Sequence, residues 1–141
     1  MSMLLTVNLK ESGGQKDPDH PGPAGPGNYF NAGGLPYAAV DLDRLIERSD
    51  IRPFSDYVYG GDMLSEEEYA EMGQTPPERQ WFEPTDGLRT VEHLIGLLEQ
   101  RDPEAQFESC TVADLLYELQ VVHAILRRAK ELGEPFSFEV A

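Results

Sequence analysis

The sequence is poor in the residues that build disulfides and zinc sites, with one cysteine and three histidines among 141 residues. Cys110 has no second cysteine to pair with, and the scattered histidines show no metal-binding spacing such as H-E-x-x-H. We therefore expect a protein that holds no metal ion and no other cofactor. A chain of this length is enough for one domain with its own hydrophobic core, without disulfides or a structural metal.

Long hydrophobic runs are missing as well. No apolar stretch approaches the roughly 18 residues of a membrane-spanning helix. Residues 1–10 lack the basic start and the apolar core of a secretory signal. We predict a cytoplasmic protein that has no membrane partner.

Positive charge is scarce, since 11 lysines and arginines stand against 26 aspartates and glutamates, a formal net charge of −15. Such an excess repels phosphate backbones, so we expect no nucleic-acid partner. The excess is greatest in residues 41–86, which hold 4 positive and 13 negative residues. This acidic region either keeps the protein soluble or attracts a basic partner protein.

Both ends of the chain show the alternation of apolar and polar residues that is typical of a strand. The apolar positions are Leu5, Val7 and Leu9 near the N-terminus and Phe136, Phe138 and Val140 near the C-terminus. We predict that the two strands share one sheet. Because two strands alone are marginally stable, this sheet needs a third strand around residues 80–83 or a cover of helices.

Residues 12–36 contain seven glycines and five prolines, a composition that excludes a helix or a central strand. We predict a long Gly/Pro-rich loop here. Loops of this length are uncommon in compact domains, and such a loop is either functional or a plain linker.

Four helices are predicted between this loop and the last strand. Asp41 is expected to cap a short first helix, and Ser65 to form a capping box with Glu68 at the start of the second. Asp86 is expected to cap the third, where Gly87 permits a close approach of the first turn. The predicted fold is therefore α+β: a helix-dominated single domain, residues 1–141, with about four helices packed on a small sheet of terminal strands.

The fourth helix is the longest, since a T-x-x-D start at Thr111 is followed by a stop only at Gly133. It is apolar on two sides, which is typical of a helix buried between layers. One side carries Val112, Leu115, Leu119, Val122, Leu126 and Ala129, and the other carries Val121, Ile125 and Leu132. The second side is covered either by the domain's own sheet or by the other subunit of a homodimer.

Residues 81–91 read W-F-x-P-x-x-G-L-x-T-V, and Ile51 to Tyr57 precede them with I-R-P-F-S-D-Y. This pattern resembles a family of small uncharacterised bacterial proteins, over about the last two thirds of the chain. The resemblance implies a bacterial cytosolic protein. It implies no catalytic residue, because the family has no established activity.

An aromatic and acidic segment is our candidate protein-binding surface, because aromatic anchors ringed by charge combine affinity with electrostatic steering. Its residues are Phe54, Asp56, Tyr57, Tyr59, Asp62, Glu66, Glu67 and Glu71. Packing of the rings in the core is the alternative.

Two further residues are weaker candidates for a pocket. Cys110 precedes a helix N-terminus, where the helix dipole favours a thiolate, and His123 lies at the edge of an apolar stripe.

We therefore predict a non-catalytic acidic interaction module, such as an inhibitor, an immunity-like antagonist or an adaptor. The alternative is a small-molecule-binding domain or a small enzyme with a pocket between the helices and the Gly/Pro loop.

Overall fold

A computed structural model describes most of the chain. The described residues are 4–15, 32–59, 66–75, 80–107 and 110–140.

The sheet is built on the two ends of the chain. Strands β1 (Leu5–Leu9) and β4 (Phe136–Val140) pair antiparallel along their whole length. Two-residue strands flank them, β2 (Gly13–Gly14) beside β1 and β3 (Val58–Tyr59) parallel to β4. The predicted pairing of the terminal strands is confirmed.

Helices make up most of the rest of the described chain. They are α1 (Leu35–Ile46), α2 (Glu66–Glu71), α3 (Pro84–Glu99) and α4 (Val112–Leu132), with a 3₁₀ turn at Phe54–Tyr57. Side chains of the sheet, α1, α3 and α4 form one buried apolar cluster. The predicted α+β class, with helices covering a small terminal sheet, is confirmed.

Helix α1 begins earlier than the sequence predicts. Asp41 lies inside the helix, and Pro36 occupies its first turn, where a missing N–H is tolerated. The backbone N–H groups of Gly34 and Leu35 donate to the Glu118 carboxylate on α4, at 2.9 and 3.1 Å. The predicted limits of the Gly/Pro loop, 12–36, are therefore wrong at both ends, because β2 and α1 extend into it; residues 16–31 lie outside the described residues.

Helix α3 also begins before its predicted cap. It starts at Pro84, and Asp86 lies in the first turn while Glu83 occupies the cap position without a side-chain hydrogen bond. Proline favours the first helical position because its fixed φ suits the helix, and the cap therefore lies three residues earlier in the chain than predicted. The predicted capping box of Ser65 lies outside the described residues, and α2 is followed by Gly73 at a φ of 69°.

The predicted close approach at Gly87 is confirmed. A Cβ on this residue would lie 2.7 Å from Cε1 of Phe136 and 3.1 Å from Cδ1 of Leu126. The third strand predicted at residues 80–83 forms only as a single antiparallel bridge, in which Phe82 and Phe136 exchange two 2.9 Å backbone hydrogen bonds. This bridge fixes the start of α3 against β4.

Both predicted ends of α4 are confirmed. Thr111 and Asp114 form a reciprocal capping box, and Gly133 ends the helix at a φ of 70°. The stripe from Val112 to Ala129 is buried, and so are Val121 and Ile125 on the other side, whereas Leu132 is 51% exposed. The second apolar side is thus covered within the chain at Val121 and Ile125, and the homodimer stays a prediction.

Candidate functional site

A concave site that includes one predicted functional residue, His123, lies between α3 and α4, the two helices of the described chain that pack most extensively against each other. This α3–α4 cleft encloses about 290 Å³ and is open to solvent. Its lining residues are Glu92, Ile95, Gly96 and Glu99 of α3 and Gln120 and His123 of α4. The positions on α3 are three or four residues apart, so they share one face of the helix.

A hydrogen bond between the two helices closes one end of the cleft. Nε2 of His123 lies 3.0 Å from Oε1 of Glu92, and the ring donates when this nitrogen carries the proton. The Glu92 side chain is 61% exposed, whereas that of His123 is 24% exposed. The contact therefore orients Glu92 at the rim and leaves its second oxygen available for a ligand.

Gly96 opens the middle of the cleft. It lies inside α3, where glycine costs roughly 0.5–1 kcal/mol relative to alanine. A Cβ at this position would have no atom of a neighbour within 4 Å. Packing therefore does not require glycine here, and its effect is to leave a notch on the helix face that also carries Glu92 and Glu99.

The predicted aromatic and acidic surface is wrong at Phe54 and Tyr57. Phe54 and Tyr57 are 0% and 1% exposed, because their rings pack in the core against Phe138 and Phe136. The Tyr57 hydroxyl lies 3.1 Å from the Thr90 hydroxyl, which compensates for its burial. Burial raises the pKa of the Tyr57 phenol above its ordinary value. Neither ring can serve as an exposed anchor.

The acidic part of that predicted surface remains accessible where it is described. Asp56, Glu67 and Glu71 are exposed. Asp62 lies outside the described residues, and so do the side chains of Tyr59 and Glu66.

Cys110 and His123 lie against different helices, so the structure does not bring the two pocket candidates together. A Cβ on Gly34, before α1, would be 2.8 Å from both the Cys110 sulfur and Oε2 of Glu118. Burial raises the pKa of Glu118, against the lowering effect of the N–H groups of Leu35 and Gly34. The N-terminus of α1 is thus occupied by a carboxylate of this same chain.

Sequence reasoning missed most of the cleft. The sequence analysis assigns no role to Glu92, Gly96, Glu99 or Gln120. The available signal was the spacing of Glu92, Gly96 and Glu99, which places a glycine between two carboxylates on one helix face. The sequence does not show that His123, 31 residues further on, contacts Glu92.

Comparisons with protein-family models, with curated proteins and with solved structures found no match for this chain. The resemblance of residues 81–91 to a bacterial family therefore stays a prediction. Within the described residues, no group of three or more histidine, cysteine or acidic side chains could hold a metal ion. Over the same part of the chain, every helix is too short or too polar to cross a membrane.

Proposed function

We propose that this protein is a non-catalytic interaction module whose α3–α4 cleft binds a basic side chain of a partner protein. The observation that carries the proposal is the notch at Gly96, in a cleft that Glu92 and Glu99 also line. The cytoplasm is the proposed location, because a single cysteine suits a reducing compartment. A bacterial source is proposed from the resemblance of residues 81–91 alone.

The cleft suits a lysine or arginine side chain in shape and in charge. Glu92 and Glu99 are seven residues apart, so about 10 Å of helix rise separates them, and a cation can lie between them. Ile95 and Gly96 provide an apolar floor for the methylene groups of such a side chain. The net charge of −15 attracts a basic surface over longer distances and raises the rate of association.

A titration with a fluorescein-labelled octa-arginine peptide tests the proposal, with octa-citrulline as the uncharged control. We expect saturable binding of octa-arginine that weakens as salt rises. The double variant Glu92→Gln, Glu99→Gln should weaken it by about fivefold, because partly exposed ion pairs contribute about 0.2–1 kcal/mol each. The matched control is Glu67→Gln, Glu71→Gln on α2, which removes the same two charges.

The two double variants separate a local site from a general charge effect. A loss confined to the α3 variant supports the cleft. Equal losses in both variants, or binding of octa-citrulline as strong as that of octa-arginine, would contradict a specific site at the cleft. A loss confined to the α2 variant would instead place the binding surface on α2.

A further inference from the structure

A second depression in this acidic protein is lined by arginines. It has a volume of about 760 Å³, is open to solvent, and lies where the C-terminal half of α1 faces the segment between α3 and α4. Its lining comprises Asp41, Arg44 and Leu45 from α1, Arg101, which follows α3, and residues 105–107. We call it the arginine depression. Its volume is within the range of about 300–1,000 Å³ that is typical of small-molecule sites.

The two arginines keep hydrogen-bonding capacity for a ligand. The guanidinium of Arg44 is 3.7 Å from Asp41, which is longer than a hydrogen bond, and its side chain is 71% exposed. Among the described residues, no carboxylate lies within ion-pair distance of Arg101. Each guanidinium presents a planar fork of N–H donors that matches the oxygens of a carboxylate or a phosphate.

Backbone hydrogen bonds hold the wall of the depression in place. The Phe107 N–H donates to the carbonyl of Cys110 at 2.8 Å, and the Val112 N–H donates to the carbonyl of Ala105 at 3.0 Å. Gln106 forms an antiparallel bridge with Thr111 at the start of α4. The segment that faces Arg44 is therefore fixed to α4 before any ligand binds, which lowers the entropy cost of binding.

We propose that the arginine depression binds a small organic carboxylate whose apolar part rests on Leu45, Ala105 and Phe107. The two arginines supply charge-assisted hydrogen bonds, and the three apolar side chains supply a surface for an aromatic or aliphatic group. The protein's negative field opposes a dianion more strongly than a monoanion, which favours a carboxylate over a phosphate ester. This site is independent of the α3–α4 cleft, so either proposal can fail without the other.

An NMR titration of the full chain with benzoate tests this proposal, at constant ionic strength. We expect saturable shifts of the backbone amides of residues 105–107. Arg101→Gln should weaken benzoate binding by about fivefold, because an ion pair of an exposed side chain contributes at most about 1 kcal/mol, and Arg44→Gln should weaken it less because Asp41 already offsets its charge. Arg128→Gln on the exposed side of α4 removes the same charge away from the depression, and it should leave the affinity within about twofold.

Benzamide and phenyl phosphate test the chemical class of the ligand. Benzamide, which has the same ring without the charge, should bind at least about tenfold more weakly than benzoate. Benzamide binding equal to that of benzoate, or equal losses in Arg101→Gln and Arg128→Gln, would overturn the anion site. Tighter binding of phenyl phosphate than of benzoate would overturn the assignment to carboxylates.

Discussion

Two glycines on helix α3 occupy opposite kinds of surroundings. At Gly87 the ring of Phe136 lies where a Cβ would be, whereas at Gly96 a Cβ would meet no neighbouring atom within 4 Å. The first glycine lets the helix approach the sheet. The second weakens the helix and opens a cleft. A glycine in a helix therefore indicates either a close contact or a concavity, and only the tertiary structure distinguishes the two.

The first of these regions, the Gly87 seam, combines the closest packing with direct backbone pairing. It comprises Gly87, Leu126 and Phe136, together with Phe82, whose backbone bridges to Phe136. The same strand residue thus contacts the face of α3 and fixes the segment that leads into it. The α3–α4 cleft, nine residues further along α3, has no comparable contact at its glycine.

The largest expected effect is at the Gly87 seam. Gly87→Ala should lower the free energy of unfolding by roughly 1–3 kcal/mol, because the added methyl group must displace the buried Phe136 ring. This loss outweighs the gain in helix propensity, which is at most about 1 kcal/mol. Chemical denaturation of the variant and the parent protein measures the difference.

Shortening the ring partner checks the cause of that loss. In a background with Phe136→Leu, the cost of Gly87→Ala should fall, since the leucine leaves room for the methyl group. An unchanged cost in that background would show that the seam does not depend on this contact.

The next expected effect is a loss of stability at acid pH that depends on Glu134, between α4 and β4. Its carboxylate accepts hydrogen bonds from the hydroxyl and N–H of Ser12 and from the N–H of Glu11, at 2.7 to 3.0 Å. The Ser12 hydroxyl contributes most to holding the pKa of Glu134 below its ordinary value of 4.5, and the two backbone N–H groups add to this against the opposing effect of burial. A lowered pKa means that this stabilisation is complete above the unfolded-state value and is lost as pH falls through the folded-state value.

Glu134→Gln should therefore reduce stability at neutral pH and cause progressively less loss below pH 4.5. Denaturation of both proteins across this range gives the difference at each pH. Glu131→Gln, on the exposed last turn of α4, is the matched control and should leave the difference near zero throughout. A constant difference at all pH values would show that the Glu134 charge has no role in the hydrogen bonds to Glu11 and Ser12, which follow β1.

What the sequence predicts well is local. The Thr111 and Asp114 capping box and the stop at Gly133 are confirmed because their partners are within a few residues. The predicted start of α1 was wrong because the partner of its first backbone N–H groups is the carboxylate of Glu118, which is 84 residues away from Gly34. Both terminal strands were predicted from alternating apolar and polar residues, because successive side chains of a strand point to opposite faces and only one face is buried.

The candidate site was harder to predict for the same reason. Aromatic residues such as Phe54 and Tyr57 are common both in interfaces and in cores, and the sequence does not show which neighbours cover their rings. The sequence analysis assigns no role to Glu92, and it names His123 only as a pocket candidate at the edge of an apolar stripe. Their 3.0 Å contact depends on how α3 packs on α4, and neither helical pattern specifies that.

The smallest expected effect, at Gly96, separates stability from binding. Gly96→Ala should raise the free energy of unfolding by about 0.5–1 kcal/mol, because alanine favours the helix and its methyl group meets open space. The same methyl group should weaken the binding of octa-arginine at the cleft, so stability and affinity move in opposite directions. His93→Ala, at an exposed position of the same helix outside the cleft, should also gain some helix propensity but should leave octa-arginine affinity unchanged. A more stable Gly96→Ala protein with unchanged octa-arginine affinity would mean that the notch is a feature of the surface alone, because a ligand that lies between Glu92 and Glu99 must contact position 96.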